Sequence, residues 1–343
     1  MSAEAFRSTF DAVTGPESFG VFARQPLCVV ELDEGPDIGP LTRFLPCVVV
    51  GVTSDTTRRS ELPGADILLT DDPAAPSPWV ISADLASTLD ELGSACRAAP
   101  LAAIALAQLL RFSPQLDVRD ALVAESFVYS MLQSGPEHRA WLAGRPRRDG
   151  SPAPEPDPVA ISRRDDVLSI LLRRPQVHNA YNAAMRDSLV SALQVAAVDP
   201  TVRQVRVGGT GPSFCSGGDL QEFGTATDPV TAHAVRISRG AAVWMDRCSQ
   251  RTSVHVHGAC IGAGLELAGF AGRVVADPAT LFRLPEVAMG LVPGAGGTVS
   301  LPRRIGRQRT AYLAISGASL DGATALEWGL VDDLAVRDPG SPP

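Results

Sequence analysis

Lysine is absent from this 343-residue chain, so each of its 30 basic side chains is an arginine. Against 38 acids this leaves a net charge of −8, and no basic block occurs anywhere. Without a basic patch there is no counterion release to drive binding to a polyanion, so nucleic acid is not an expected partner. Arginine's planar fork suits fixed contacts to carboxylates and phosphates, and a compositional bias of the genome explains the pattern more simply. Cysteine is sparse, and Cys28, Cys47, Cys96, Cys215, Cys248 and Cys260 form neither a CxxC pair nor a zinc-ligand spacing. A chain this long needs no disulfides to hold a core, so the six read as small buried residues in a reducing, cytoplasmic compartment. No apolar run reaches the ~18 residues of a membrane span. The longest, PLAAIALAQLL (100–110), is interrupted by Gln108. The N-terminus lacks the basic-then-apolar order of a secretory leader. What is present is ordinary for a soluble globular chain: 45% apolar and 20% charged residues. At ~150 residues per domain, the length suggests about two domains.

The sharpest boundary is DGSPAPEPDP (149–158), where four of ten residues are proline. It predicts an extended, semi-rigid linker. Before it, LCVVEL (27–32), PCVVVGV (46–52) and ADILLTDD (65–72) read as strands. Leu85, Leu89, Leu92 and Cys96 predict a helix within 84–110. Over 118–142, Leu122, Phe127, Met131 and Trp141 predict the apolar side of further helical structure. After the linker, strands at 167–174, 202–209 and 252–258 alternate with helices at 179–198 and 228–248, and Asn179 is a natural N-cap. GRVVADPATLFRL (272–284) adds further strands. Such alternation predicts an α/β fold with a parallel sheet and crossover helices.

Three segments could carry chemistry. SFCSGGDL (213–220) follows a strand, and its small residues let a ligand approach free backbone N–H groups; an ordinary tight turn is the simpler reading. HGACIGAGLELA (257–268) leads from a strand into a helix whose first N–H groups are unpaired. Glu266 lies in that first turn, where the helix dipole explains an acid about as well as catalysis does. LFRLPEVAMGLVPGAGGT (281–298) places Glu286 among Leu284, Val287 and Met289, an apolar setting that raises a carboxyl pKa; pairing with Arg283 is the alternative. His255 and His257 share one face of a strand but have no evident third ligand, so no metal site is expected. Cys215 reads as a packing residue before a nucleophile.

Taken together, these segments resemble the crotonase (enoyl-CoA hydratase/isomerase) superfamily. The resemblance runs over about 159–333 through RRPQVHNAY, DPTVRQVRVGGTGPSFCSGGDL, GACIGAGLELA, LPEVAMGLVPGAGGT and SGASLDGATALEWGLVDDL. It implies an α/β fold with a crotonase-like ββα spiral core over residues ~159–336, and an N-terminal α/β and helical module. The implied divisions are a small degenerate α/β region (1–85), a helical module (86–148), the linker (149–158), the core (159–336) and a tail (337–343). The resemblance places the two oxyanion N–H groups on Ser216 and Ala263, and the paired catalytic carboxylates on Glu266 and Glu286. It places substrate-binding roles on Gly217, Gly218, Asp219, Gly262, Gly294 and Arg174. Retention of both carboxylates implies addition of water to a 2-enoyl-CoA. Isomerisation or non-catalytic acyl-CoA binding are the alternatives. No separate cofactor, metal, membrane or nucleic acid is implied, and a homo-oligomer, trimer or hexamer, is. The family's usual C-terminal helices are missing after 333, and residues 89–148 resemble them, which implies a permuted arrangement.

Overall fold

The computed structural model describes residues 1–11, 15–33, 38–58, 64–145, 157–226 and 228–337. Of the expected linker only Asp157 and Pro158, and of the expected tail only Arg337, fall within them.

The N-terminal half begins with α1 (Ala3–Asp11), β1 (Leu27–Glu31), the single turn α2 (Gly39–Thr42), β2 (Val48–Thr53), β3 (Ile67–Thr70) and β4 (Val80–Ile81). The strands form a parallel sheet in the order β1-β2-β3-β4. Their two-residue period sorts the side chains by face. Val48, Val50, Ile67 and Leu69 pack toward helices, while Val49 and Leu68 pack with Phe6 and Trp79 on the other side. Four helices follow: α3 (Leu85–Ala98), α4 (Pro100–Phe112), α5 (Val118–Gln133) and α6 (Pro136–Ala143). The helical stretch expected over 84–110 is therefore two helices, bent by 107°. Pro100 lacks an N–H and drives Ala99 out of helical geometry, to φ −138.

The C-terminal half opens with an antiparallel hairpin, β5 (Val159–Arg164) and β6 (Val167–Leu172). It continues through α7 (Ala183–Val198), β7 (Gln204–Gly209), α8 (Pro229–Arg239), α9 (Ala242–Cys248), β8 (Thr252–Val256), β9 (Ala259–Ile261), α10 (Ala263–Ala268), β10 (Arg273–Ala276) and β11 (Leu281–Arg283). It ends with α11 (Gly297–Ser316), α12 (Gly322–Trp328) and β12 (Asp333–Leu334). The main sheet runs β12-β10-β8-β7-β6-β5, parallel except for β5. Strands β9 and β11 form a separate parallel pair beside it. The expected alternation is present. The helix expected over 228–248 is split at Gly240, and α7 is capped by Asn182, which accepts from the Met185 N–H at 2.9 Å. Asn179 instead adopts φ +54 and ties the preceding turn, accepting from the Arg174 N–H and donating to the carbonyls of Thr210 and Ser213.

The two halves share one apolar core. Helix α4 is buried on nearly all sides and lies between the N-terminal sheet and α11, so a continuous cluster runs from Val48 through Leu106 to Leu301 and Ile305. An ionic joint accompanies it. Asp66 accepts from Arg111 through both carboxylate oxygens, at 2.8 and 2.6 Å, and Arg307 of α11 approaches it at 3.6 Å. Asp66 and Arg111 are 1% and 4% exposed, so neither charge has water as an alternative partner. Asp66→Asn would strand the Arg111 guanidinium and should cost about 3–5 kcal/mol. A urea unfolding curve with an unchanged midpoint would contradict that expectation.

Helix α5 departs from its expected orientation. Phe127 and Met131, expected on the inner face, are 59% and 58% exposed, whereas Glu125 and Ser126 are buried. Among the described residues no single helix is long and apolar enough to cross a membrane, and no group of three or more His, Cys, Asp or Glu could hold a metal.

Candidate active site

The loop after β7 returns alongside β9: Cys215 donates to the Ala259 carbonyl, and its own carbonyl accepts from Ile261. Beyond it the Ser216 N–H donates to the His178 carbonyl at 3.0 Å. The expected oxyanion donor at Ser216 is therefore committed within the fold, which corrects that expectation. Two residues on, Tyr181 clasps the loop by donating to the Gly217 carbonyl and accepting from the Asp219 N–H, both at 2.8 Å. A parallel bridge of this kind turns the Gly218 N–H away from Tyr181. Gly217 has φ +97, open to glycine at no steric cost.

Arg174 and Asp219 also take a role other than the expected one. Arg174 Nη1 donates to Asp219 Oδ2 at 2.9 Å and to the Ala180 carbonyl at 2.5 Å, with the two side chains 8% and 12% exposed. This buried pair fixes the loop from behind, and its charges are spent on each other, not on a ligand. Burial pushes the Cys215 thiol up to about 12, which removes it as a thiolate nucleophile. All six cysteines are buried free thiols.

Gly262 turns the chain from β9 into α10. It has φ +48, and a Cβ there would lie 2.4 Å from Glu286 Oε1, so the carboxyl occupies the space a side chain would need. Ala263 is the first residue of α10, and its N–H has no acceptor inside the helix. One turn on, Glu266 is 2% exposed, and its Oε2 accepts from the N–H groups of Ala295 (2.7 Å) and Gly297 (2.8 Å). Gly294, expected at the site, instead backs onto the Tyr129 ring, and the residues just after it hold the carboxylate.

The two expected carboxyls differ in environment. Burial raises Glu266 to about 7, against the pull of its two N–H donors. Glu286 is raised well above the ordinary range by burial and then by Glu266. Its Oε2 is buried with no hydrogen-bond partner. The Arg283 guanidinium donates to the Gly317 carbonyl, so the alternative pairing with Glu286 is not made. One carboxyl is held ready to ionise near neutrality, and the other retains its proton. That difference suits paired acid–base work.

Residues 162–338, about half the chain, match the family model for enoyl-CoA hydratase/isomerase. The chain belongs to the enoyl-CoA hydratase/isomerase family. It is 34% identical over 180 residues to the 2,3-dehydroadipyl-CoA hydratase of Escherichia coli, covering 52% of this chain and 70% of that relative. A Mycobacterium tuberculosis protein assigned as an enoyl-CoA hydratase is 36% identical over 183 residues, covering 53% and 70%. Among solved structures, a Mycobacterium abscessus protein assigned to the enoyl-CoA hydratase/isomerases superposes with a TM-score of 0.50 at 34% identity, covering 54% of this chain and 72% of that one. The crotonase-like α/β core is therefore present.

Residues from outside the matched segment pack against this candidate site. Glu125 on α5 is 2% exposed, and accepts at Oε1 from the Gly296 N–H (2.8 Å) and at Oε2 from the Thr298 N–H (3.0 Å) and hydroxyl (2.7 Å). Burial and the neighbouring Glu266 raise it to about 8. One turn further along α5, the Tyr129 ring fills the space beside Gly294, under the Arg236 guanidinium at 4.4 Å. Helix α6 adds His138, which bonds the Met289 carbonyl and stacks on Trp141. Trp141 in turn meets Phe223, beside Gly218. The reading of 118–142 by apolar periodicity missed Glu125 because this helix presents polar groups inward. Two signals point to it: the LxxE pattern of Leu122 and Glu125 in the stretch that resembles the family's C-terminal helices, and the spacing of Ala121 and Glu125, four residues apart on one face.

Proposed function

We propose that this protein is an enoyl-CoA hydratase, adding water syn across the double bond of a 2-enoyl-CoA thioester. The observation that carries this reading is the unlike pair of buried glutamates beside Gly262, one held by two N–H groups and one with an oxygen lacking any partner. Water sits between them. Glu266, ionised, accepts a proton from the water as its oxygen bonds to Cβ, and Glu286 gives its proton to Cα. The C=C π pair forms the Cα–H bond by way of an enolate. That enolate's oxygen rests on the N–H groups of Gly218 and Ala263, each such donor contributing about 3–4 kcal/mol. Gly218 takes the role the sequence assigned to Ser216. Coenzyme A enters as part of the substrate, and no other cofactor takes part. The protein acts in the cytoplasm as a homo-oligomer, a reading supported by its buried free thiols and its family.

The test is the decay of conjugated enoyl-thioester absorbance with short, long and aryl 2-enoyl-CoAs. Decay that is lost in the Glu286→Gln variant supports hydration and ranks the acyl groups. No decay on any ester, with CoA-ester binding intact, would move the assignment to double-bond isomerisation or to a non-catalytic acyl-CoA-binding role.

A further inference from the structure

The turn 295–298 lies between two buried carboxylates that use its amides alternately. Ala295 and Gly297 donate to Glu266 Oε2, while Gly296 and Thr298 donate to Glu125. The partition leaves no slack. A Cβ on Gly297 would lie 2.6 Å from Glu266 Cγ, and one on Gly296, at φ +106, 2.5 Å from the Phe270 ring. Among the described residues, Glu266 Oε1 has no protein donor, so locking Oε2 decides which oxygen remains for chemistry. The turn also opens α11, whose first segment runs to a break at Gly306 (φ +81) and whose N-terminal dipole favours negative charge on either side.

We infer that Glu125, carried by the N-terminal helix α5, is a positioning residue for the reaction: through the 295–298 turn it fixes which oxygen of Glu266 stays free. The inference rests on the hydratase reading only for which step Glu266 serves. The groups facing Glu266 are Glu125 and Tyr129 from α5, Glu286 after β11, Cys215 after β7 and Tyr181 before α7. Arg236 of α8 is the nearby cation; it lies on the Tyr129 ring and bonds Ser126 and Ser130, not a carboxylate. Glu125 and Glu266 therefore repel each other with no cation bridging them. Glu266, near 7, ionises before Glu125, near 8, so its charge holds the Glu125 proton, and a neutral residue at 266 lifts that repulsion and lowers the Glu125 pKa.

The experiment pairs hydration kinetics with a pH titration of the full-length protein carrying carboxyl-13C glutamate, the Glu125 resonance assigned by its loss in Glu125→Gln. In Glu125→Gln hydration kcat should fall about 10- to 100-fold with KM little changed, because the free oxygen of Glu266 is no longer fixed. The acid limb of kcat/KM should stay in place, because Glu125 is neutral where Glu266 ionises. In Glu266→Gln the Glu125 midpoint should fall by about one pH unit, the scale of a close like-charge interaction. An unchanged kcat in folded Glu125→Gln, or an unmoved Glu125 midpoint in Glu266→Gln, overturns the inference. Should Glu125→Gln fail to fold, Thr298→Val removes the hydroxyl donor from Glu125 and should lower kcat by less, with KM little changed. An unchanged kcat there overturns the inference equally. A Glu125 midpoint that falls in a protein without hydration activity upholds the contact across the turn and rejects the hydratase reading instead.

Discussion

Glu286→Gln lowers kcat for 2-enoyl-CoA hydration by about 10²- to 10⁴-fold, the usual contribution of a positioned general acid, while acyl-CoA binding survives. The argument is one of environment. Glu286 is buried and one of its oxygens has no partner, so its carboxyl keeps a proton where a solvated glutamate would lose it. The amide has nearly the same shape and cannot give that proton up. Glu266→Gln fails for the opposite reason, since the ionised form is needed. Its pKa near 7 means that wild-type kcat/KM falls as pH drops through about 7, with the proton occupying the base. On the alkaline side the rate falls only when Glu286 ionises. An isomerase operated by Glu286 alone would tolerate Glu266→Gln. Equal loss in both variants on a hydration assay favours the water-adding pair, and a Glu286→Gln enzyme within a few-fold of wild type would remove Glu286 from the chemistry.

Gly262→Ala should be nearly as damaging without touching an ionisable group. At φ +48 and ψ −123 the residue lies where side chains are strained by about 1–3 kcal/mol. The new methyl would also lie 2.4 Å from Glu286 Oε1, so the carboxyl or the first turn of α10 must shift. Displacing an acid by about 1 Å costs about 10²-fold in rate. We expect a kcat loss of that order together with a lowered melting temperature. Full activity with only a lowered melting temperature would show that Glu286 does not need its present place.

Much of the core was legible because its signals are local. Val-rich runs marked β1 and β2, a Leu-rich run marked β6, and small residues marked the turns where Gly217 and Gly262 adopt positive φ. Glu266 and Glu286 were found through the same segments. What escaped depends on which peptide is tied to what. Ser216 and Gly218 are equivalent in a Gly/Ser-rich string, and only the bonds to His178 and Tyr181 separate them. Arg174 reads as a free cation until Asp219, 45 residues away, closes on it. Helix α5 misled by its polarity: where a helix covers a reaction site, its inner face must supply Glu125 and Ser126, and Phe127 and Met131 are left outside.

The first half of the chain has its own logic. Strands β1 to β4 lie side by side in chain order, as β7, β8, β10 and β12 do in the main sheet. Asp72-Pro73 follows β3 as Asp277-Pro278 follows β10. This is the pattern expected if the N-terminal half descends from a second, shortened copy.

The most direct test of the central claim is product analysis after turnover of a 2-enoyl-CoA in 18O-labelled D2O. Hydration by the glutamate pair predicts a 3-hydroxyacyl-CoA with 18O at Cβ and deuterium at Cα, absent with Glu286→Gln. Deuterium in an ester that gains no 18O would contradict it and identify an isomerase.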